Sequence, residues 1–101
     1  MKTLGELLRE LREQKGLLLR QVAAAIEVDT AMISKFEKGE RKPTRDQLKG
    51  LSKALGANEA ELTIMYLSER VVHDLKDESY AKEALKEAEK KIDFLNKKIK
   101  K

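Results

Sequence analysis

The sequence predicts an all-helical protein, and three observations carry that expectation. Apolar residues recur at helical spacing almost from end to end, the primary mark of amphipathic helices. Aromatic β-formers are scarce: only Phe36, Tyr66, Tyr80 and Phe94 are aromatic, and there is no Trp. The chain has five Gly and one Pro, too few turn formers for the many short strands of a sandwich or barrel. At 101 residues there is room for one ordinary domain and an appendage.

Each element follows from its own signals. Leu4, Leu7, Leu8 and Leu11 form one stripe, which predicts a first helix from about Thr3 to Lys15, stopped by Gly16. A short second helix runs from about Leu19 to Ile26, with Val22, Ala23 and Ile26 on one face and three alanines that admit a close neighbour. Asp29 is a good N-cap for a third helix, Thr30 to about Lys38, which buries Ile33 and Phe36 and ends at Gly39. A basic loop, Glu40-Arg41-Lys42-Pro43, follows. Thr44 opens a fourth helix with Gln47 three residues on, a capping-box spacing. Its inner stripe is Leu48, Leu51 and Leu55, and Gly56 ends it. Asn58 and Glu61 repeat the capping-box spacing before a fifth helix that carries Leu62, Met65, Tyr66, Val71, Val72 and Leu75.

The composition shifts near Asp77-Glu78-Ser79, after which Lys and Glu dominate. Ala81, Leu85, Ala88, Ile92, Leu95 and Ile99 lie at spacings of 4, 3, 4, 3 and 4, a heptad seam. A seam this short needs a partner surface. It either folds back as a sixth core helix or pairs with another subunit. Pairing is the favoured expectation, with Val71 and Leu75 sharing the interface and Tyr66 and Phe94 packing there or in the core. The expected organisation is thus a domain over residues 1–70 and a helical extension over 71–101 that serves as a dimerisation segment.

Several function classes are excluded by what the residues lack. Without cysteine there are no disulfides, thiolate zinc sites or cysteine nucleophiles, and a reducing compartment fits. The longest apolar run is the five residues Val22 to Ile26, so no segment spans a bilayer, and the N-terminus has no signal core. A soluble, cytoplasmic protein is expected. His73 is the only histidine and has no second ligand at a metal-binding spacing, so no metal is assigned. Ser34, Ser52, Ser68 and Ser79 have no base partner in a recognisable motif, Glu87 and Glu89 sit in a lysine-rich helix, and no Gly-rich phosphate loop exists. Neither an enzyme nor a cofactor is expected. The last third is too short and too charged to enclose a small-molecule pocket.

Charge points elsewhere. Charged residues make up 40% of the chain and the net charge is +4, which permits nucleic-acid binding without demanding it. The excess is local. From Lys35 to Lys49 there are six basic residues (Lys35, Lys38, Arg41, Lys42, Arg45, Lys49) against three acidic ones (Glu37, Glu40, Asp46). This cluster follows a short helix, a turn and a second short helix. That arrangement is a helix-turn-helix, with Ala23 small enough for the first helix to pack under the second and Val28 as the apolar anchor of the turn.

At these residues the sequence resembles the phage Cro/repressor-type, or XRE-type, helix-turn-helix family of transcriptional regulators. The resemblance rests on Gly16-Leu17-Leu18-Leu19-Arg20-Gln21-Val22-Ala23, on Ile33-Ser34-Lys35-Phe36-Glu37-Lys38-Gly39 followed by Arg41-Lys42-Pro43, and on Leu51-Ser52-Lys53-Ala54-Leu55-Gly56. It covers about residues 3 to 67. It implies a five-helix repressor-type DNA-binding domain, with Thr30 to Lys38 as the helix laid in the major groove. Thr30, Ala31, Ser34 and Lys35 would face base edges, Lys35 donating to guanine and Ala31 meeting a thymine methyl group. Lys38, Arg41 and Lys42 would hold the DNA backbone, with Arg20, Gln21 and Arg45 as secondary contacts. Arg12 and Glu37 match positions of a buried ion pair.

Three residues depart from the family pattern. Leu18 replaces the usual Ser, Thr or Asn cap, Leu19 replaces a glutamine that holds phosphate, and Glu27 replaces the usual turn glycine. The resemblance implies double-stranded DNA as partner, read by a homodimer on an inverted repeat with half-sites about 34 Å or a multiple apart. Repression is the expected mode, and control of a restriction-modification operon fits the chain's size. The alternatives are an antitoxin-type autorepressor with a toxin or other protein partner, and an interaction module that has lost DNA binding.

Overall fold

The computed structural model describes the backbone of residues 1–99 and the side chains of residues 1–97. The side chain of Ile99 therefore lies outside the described residues. Six helices follow in order: α1 (Leu4–Gln14), α2 (Leu19–Ala25), α3 (Thr30–Lys38), α4 (Arg45–Leu55), α5 (Glu59–Leu75) and α6 (Ala81–Ile99). The described residues contain no strand, as the composition predicts.

Helix starts are set by the expected caps. Thr3 accepts from Glu6 N–H at 3.1 Å while Glu6 accepts from Thr3 N–H at 2.8 Å. This reciprocal pair holds the Glu6 carboxyl below its usual range, chiefly through the backbone bond to Thr3. Thr44 and Gln47 form the same box on α4, and Asp29 caps α3 by accepting from Met32 N–H at 2.8 Å. Helix α2 has half a box. Leu18 has no acceptor, so only Gln21 contributes, accepting from Leu18 N–H at 2.7 Å.

Helices α1 to α4 all stop the same way. A residue one or two past each end takes a left-handed conformation, and the next N–H reaches back five residues: Leu17 to Arg12, Val28 to Ala23, Glu40 to Lys35 and Ala57 to Ser52. Three of the left-handed positions are Gly16, Gly39 and Gly56, and the fourth is Glu27 at φ 59°. A side chain there is disfavoured by roughly 1 kcal/mol or more. Replacing Glu27 with Gly is expected to raise stability by about 0.5–1 kcal/mol, the backbone entropy of glycine offsetting part of the relief. Urea unfolding checks this, and a lowered midpoint contradicts it.

The chain forms two compact units, Met1–Arg70 and the residues from Val71 onward. In the first, α1 packs on α3 and α4, and α2 packs on the same two helices. Leu4, Leu7, Leu8, Val22, Ala23, Ile33, Phe36, Leu48, Leu51, Leu55 and Leu62 make the core. Leu11, Ile26, Met65 and Tyr66 lean on it, partly buried. A long-range bond adds to this packing: Glu69 on α5 accepts from Leu4 N–H at 2.6 Å. A carboxylate is thereby placed at the first turn of α1, where unsatisfied N–H groups and the helix dipole favour it.

In the second unit α6 begins at Ala81, after a turn closed by Glu78 N–H on Leu75 O and Ala81 N–H on Glu78 O. None of the described side chains of α6 is buried. Leu85, Ile92 and Leu95 are 43%, 56% and 54% exposed. Phe94, placed by sequence in an interface or the core, is also exposed. It lies on the side of α6 away from the seam, since position 94 is neither i+3 nor i+4 from any seam residue.

Candidate nucleic-acid interface

Helix α3 has two faces with different work. Ile33 and Phe36 are buried in the core, and Glu37 is pulled inward by Arg12. Thr30, Ala31, Ser34, Lys35 and Lys38 share the opposite face, by the i, i+4 and i, i+3 geometry of a helix. Thr30, Ala31, Lys35 and Lys38 are exposed and Ser34 is half-buried. The outward face is therefore a row of small and polar groups flanked by two lysines, shallow enough to approach a groove floor closely.

The ion pair under this helix controls the local charge. Arg12 Nε donates to Glu37 Oε2 at 2.7 Å, and its Nη2 donates to Glu37 Oε1 at 3.1 Å. Its Nη1 donates to the carbonyl of Leu17 at 3.0 Å. The pair is largely buried, with side-chain exposures of 14% and 8%. The bond to Glu37 raises the Arg12 pKa further above its already high value, so the guanidinium stays charged. Both oxygens of Glu37 are thus committed to Arg12, and that carboxylate does not neutralise Lys35 or Lys38. One guanidinium joins α1, the end of α3 and the strand-like entry to α2.

The cations around α3 are displayed rather than paired. Arg20, Lys35, Lys38, Arg41, Lys42 and Arg45 are all exposed. Among the described residues none of them forms an ion pair with a carboxylate. The loop carrying Arg41 and Lys42 leaves α3 through bonds from Gly39 to Phe36 and from Glu40 to Lys35. It is pinned at its far end by Pro43, which is buried, and then enters the capped start of α4. Arg20 lies in the first turn of α2 and Arg45 in the first turn of α4. Gln21 sits beside Arg20, exposed, with its amide oxygen engaged at Leu18 N–H. Leu18 is 49% exposed, so an apolar side chain occupies the approach to α2 where the family pattern has a polar cap.

Two residues that position this face are absent from the motif reading. Gly5 lies in α1 where it crosses α3, and a Cβ added there would sit 2.5 Å from the carbonyl oxygens of both Phe36 and Glu37. The signal was a glycine inside an otherwise strong helix, where it costs about 1 kcal/mol against alanine and so calls for a packing reason. Glu69 is the other, and nothing in its spacing marks a bond across 65 residues. The expected dimerisation residues Val71, Leu85, Ala88, Ile92 and Leu95 are exposed and Leu75 is half-buried. Among the described residues no helix is long and apolar enough to cross a membrane.

Known proteins share this architecture. The family described as helix-turn-helix domain matches residues 3–63. The HTH-type transcriptional regulator DdrOP3 of Deinococcus deserti is 36% identical over 53 residues, which is 52% of this chain and 41% of that protein. The chain thus spans less than half the length of this curated relative. Among solved structures, the P22 c2 repressor in complex with a synthetic operator aligns with a TM-score of 0.59 and 27% identity, covering 61% of this chain and 94% of the repressor. The restriction-modification controller protein C.AhdI of Aeromonas hydrophila aligns with a TM-score of 0.56 and 32% identity, covering 58% of this chain and 89% of the controller.

Proposed function

Because the chain belongs to the helix-turn-helix domain family, we propose that it is a sequence-specific regulator of transcription that binds double-stranded DNA as a homodimer. The observation that carries this is the outward face of α3, which presents Thr30, Ala31, Ser34 and Lys35 with a ring of unpaired cations around it. Base edges in a major groove suit such a face, because the groove displays acceptors at guanine and a methyl group at thymine. Lys38, Arg41, Lys42 and Arg45, with Arg20 and Gln21, supply the phosphate contacts that fix register. Two copies bring two such faces to an inverted repeat and block transcription by occupancy rather than catalysis. Such a regulator would act in the cytoplasm. The structural likeness to a restriction-modification controller at 32% identity favours control of a restriction-modification operon. A second reading, an interaction module without DNA binding, is favoured by the exposed Leu18 at the start of α2.

Two substitutions separate the roles. Lys35→Ala is expected to lose about 1–3 kcal/mol on the preferred operator and to relax selectivity at one base pair. Lys42→Ala is expected to weaken all sequences alike and lower the salt slope by about one unit. Fluorescence titrations on operator and scrambled duplexes across salt concentrations check both. Equal losses for Lys35→Ala on every duplex contradict base reading.

A further inference from the structure

Helix α3 presents its N-terminal end as well as its outward face. Asp29, Thr30 and Ala31 are exposed in succession there, before the half-buried Met32 and the buried Ile33. The carboxylate of Asp29 is held in one place. Its Oδ1 accepts from Met32 N–H at 2.8 Å, which lays the group across the end of the helix rather than along its buried side. Among the described residues Oδ2 accepts no hydrogen bond and no cation pairs with it.

Capping alone does not call for this charge. Asn and Ser cap a helix about as well as Asp, and a carboxylate close to phosphates is repelled by them. Glu37, near the far end of α3, has its charge offset by Arg12, whereas Asp29 keeps its own. In a major groove a base donor offsets such a repulsion. Guanine and thymine present only acceptors there, and adenine sets its N6–H donor beside the N7 acceptor. Cytosine presents N4–H with no acceptor beside it on the same base, and is the base a carboxylate suits.

We propose that Asp29 is a specificity-determining residue, its Oδ2 accepting from N4–H of a cytosine while Oδ1 holds the cap. This rests on the reading of α3 as the helix laid in the major groove, where the N-terminal residues of such a helix meet base edges, and it names one base of the half-site. The cap fixes where the acceptor stands, so it meets one base pair and not its neighbours. The same charge discriminates against other sequences, because guanine or thymine at that position sets acceptor against acceptor.

Asp29→Asn and Asp29→Ser test it, because both keep a capping side chain. Helicity and urea unfolding check that each full-length variant is folded. Bound sequences are selected from a random duplex library by the native chain and by each variant. The native chain is expected to enrich a repeat with one fixed cytosine per half-site, and both variants are expected to lose that requirement. Asp29→Asn shifts the preference toward adenine, whose N6 and N7 an amide matches, and Asp29→Ser accepts any base there. The enriched duplex is then made with each cytosine in turn replaced by pyrimidin-2-one, which lacks the N4 amino group. One replacement is expected to weaken the native chain about ten-fold or more and the variants less than about two-fold. An unchanged base profile in both folded variants overturns the proposal and leaves Asp29 as a cap only. So does a native chain that tolerates every replacement, a result that needs no variant to fold. A native chain that enriches no sequence overturns the reading of α3 itself, which is a different failure.

Discussion

Replacing Arg12 with alanine is expected to destabilise the helical unit by about 3–5 kcal/mol, the range for leaving one partner of a buried ion pair uncompensated. The reason lies in what remains. Glu37 would keep its carboxylate largely buried with both former donors gone, and the carbonyl of Leu17 would lose the bond from Arg12 Nη1. Against a typical domain stability of about 5–15 kcal/mol, such a loss leaves a marginal fold. Lysine is not a substitute, because a single ammonium cannot reach both carboxylate oxygens and the carbonyl in the geometry of the planar fork. Replacing both members, Arg12→Met with Glu37→Leu, is expected to recover most of the loss, since apolar side chains of similar size incur no buried-charge penalty. Urea unfolding of the two single variants and the double variant checks this. Equal destabilisation by single and double variants contradicts the charge explanation.

The second large effect is at Gly5. Elsewhere in an exposed helix, Gly→Ala stabilises by about 1 kcal/mol. Here the new methyl would lie 2.5 Å from two backbone oxygens and 2.9 Å from the carbonyl carbon of Glu37. Backbone cannot rotate away as a side chain can, so α1 and α3 must separate. Overpacking of this kind costs about 1–3 kcal/mol or more, and the net expectation for Gly5→Ala is a loss of about 2 kcal/mol. Thermal unfolding reads the sign directly: a lower Tm is expected, and a raised Tm contradicts the close crossing. Because the clash is with the end of α3, DNA affinity is expected to fall with stability.

Much of this was legible in the residues. Helix α3 has the ends that its caps predict, Thr30–Lys38, and α6 begins at Ala81 where the seam begins, because Asp29, Gly39 and a heptad repeat are local signals. Glu27 in a left-handed turn was legible from the family pattern, and its strain follows from sterics alone. The buried pair of Arg12 and Glu37 followed from resemblance and not from spacing, since nothing local links residues 25 apart. Gly5 and Glu69 were missed for the same physical reason. Their roles depend on which helices cross, and a one-dimensional pattern of apolar residues records which face is buried without recording against what. Phe94 lies off the heptad seam and is exposed within the single chain, so it is not a core residue.

The reading face on α3 is the centre of the proposed function, and selection of bound sequences from a random duplex library at near-physiological salt tests it most directly. Enrichment of an inverted repeat is the expected result, its half-site spacing fixed by how the two α3 helices are held apart. A folded, helical protein that enriches no sequence contradicts DNA recognition by Thr30, Ala31, Ser34 and Lys35.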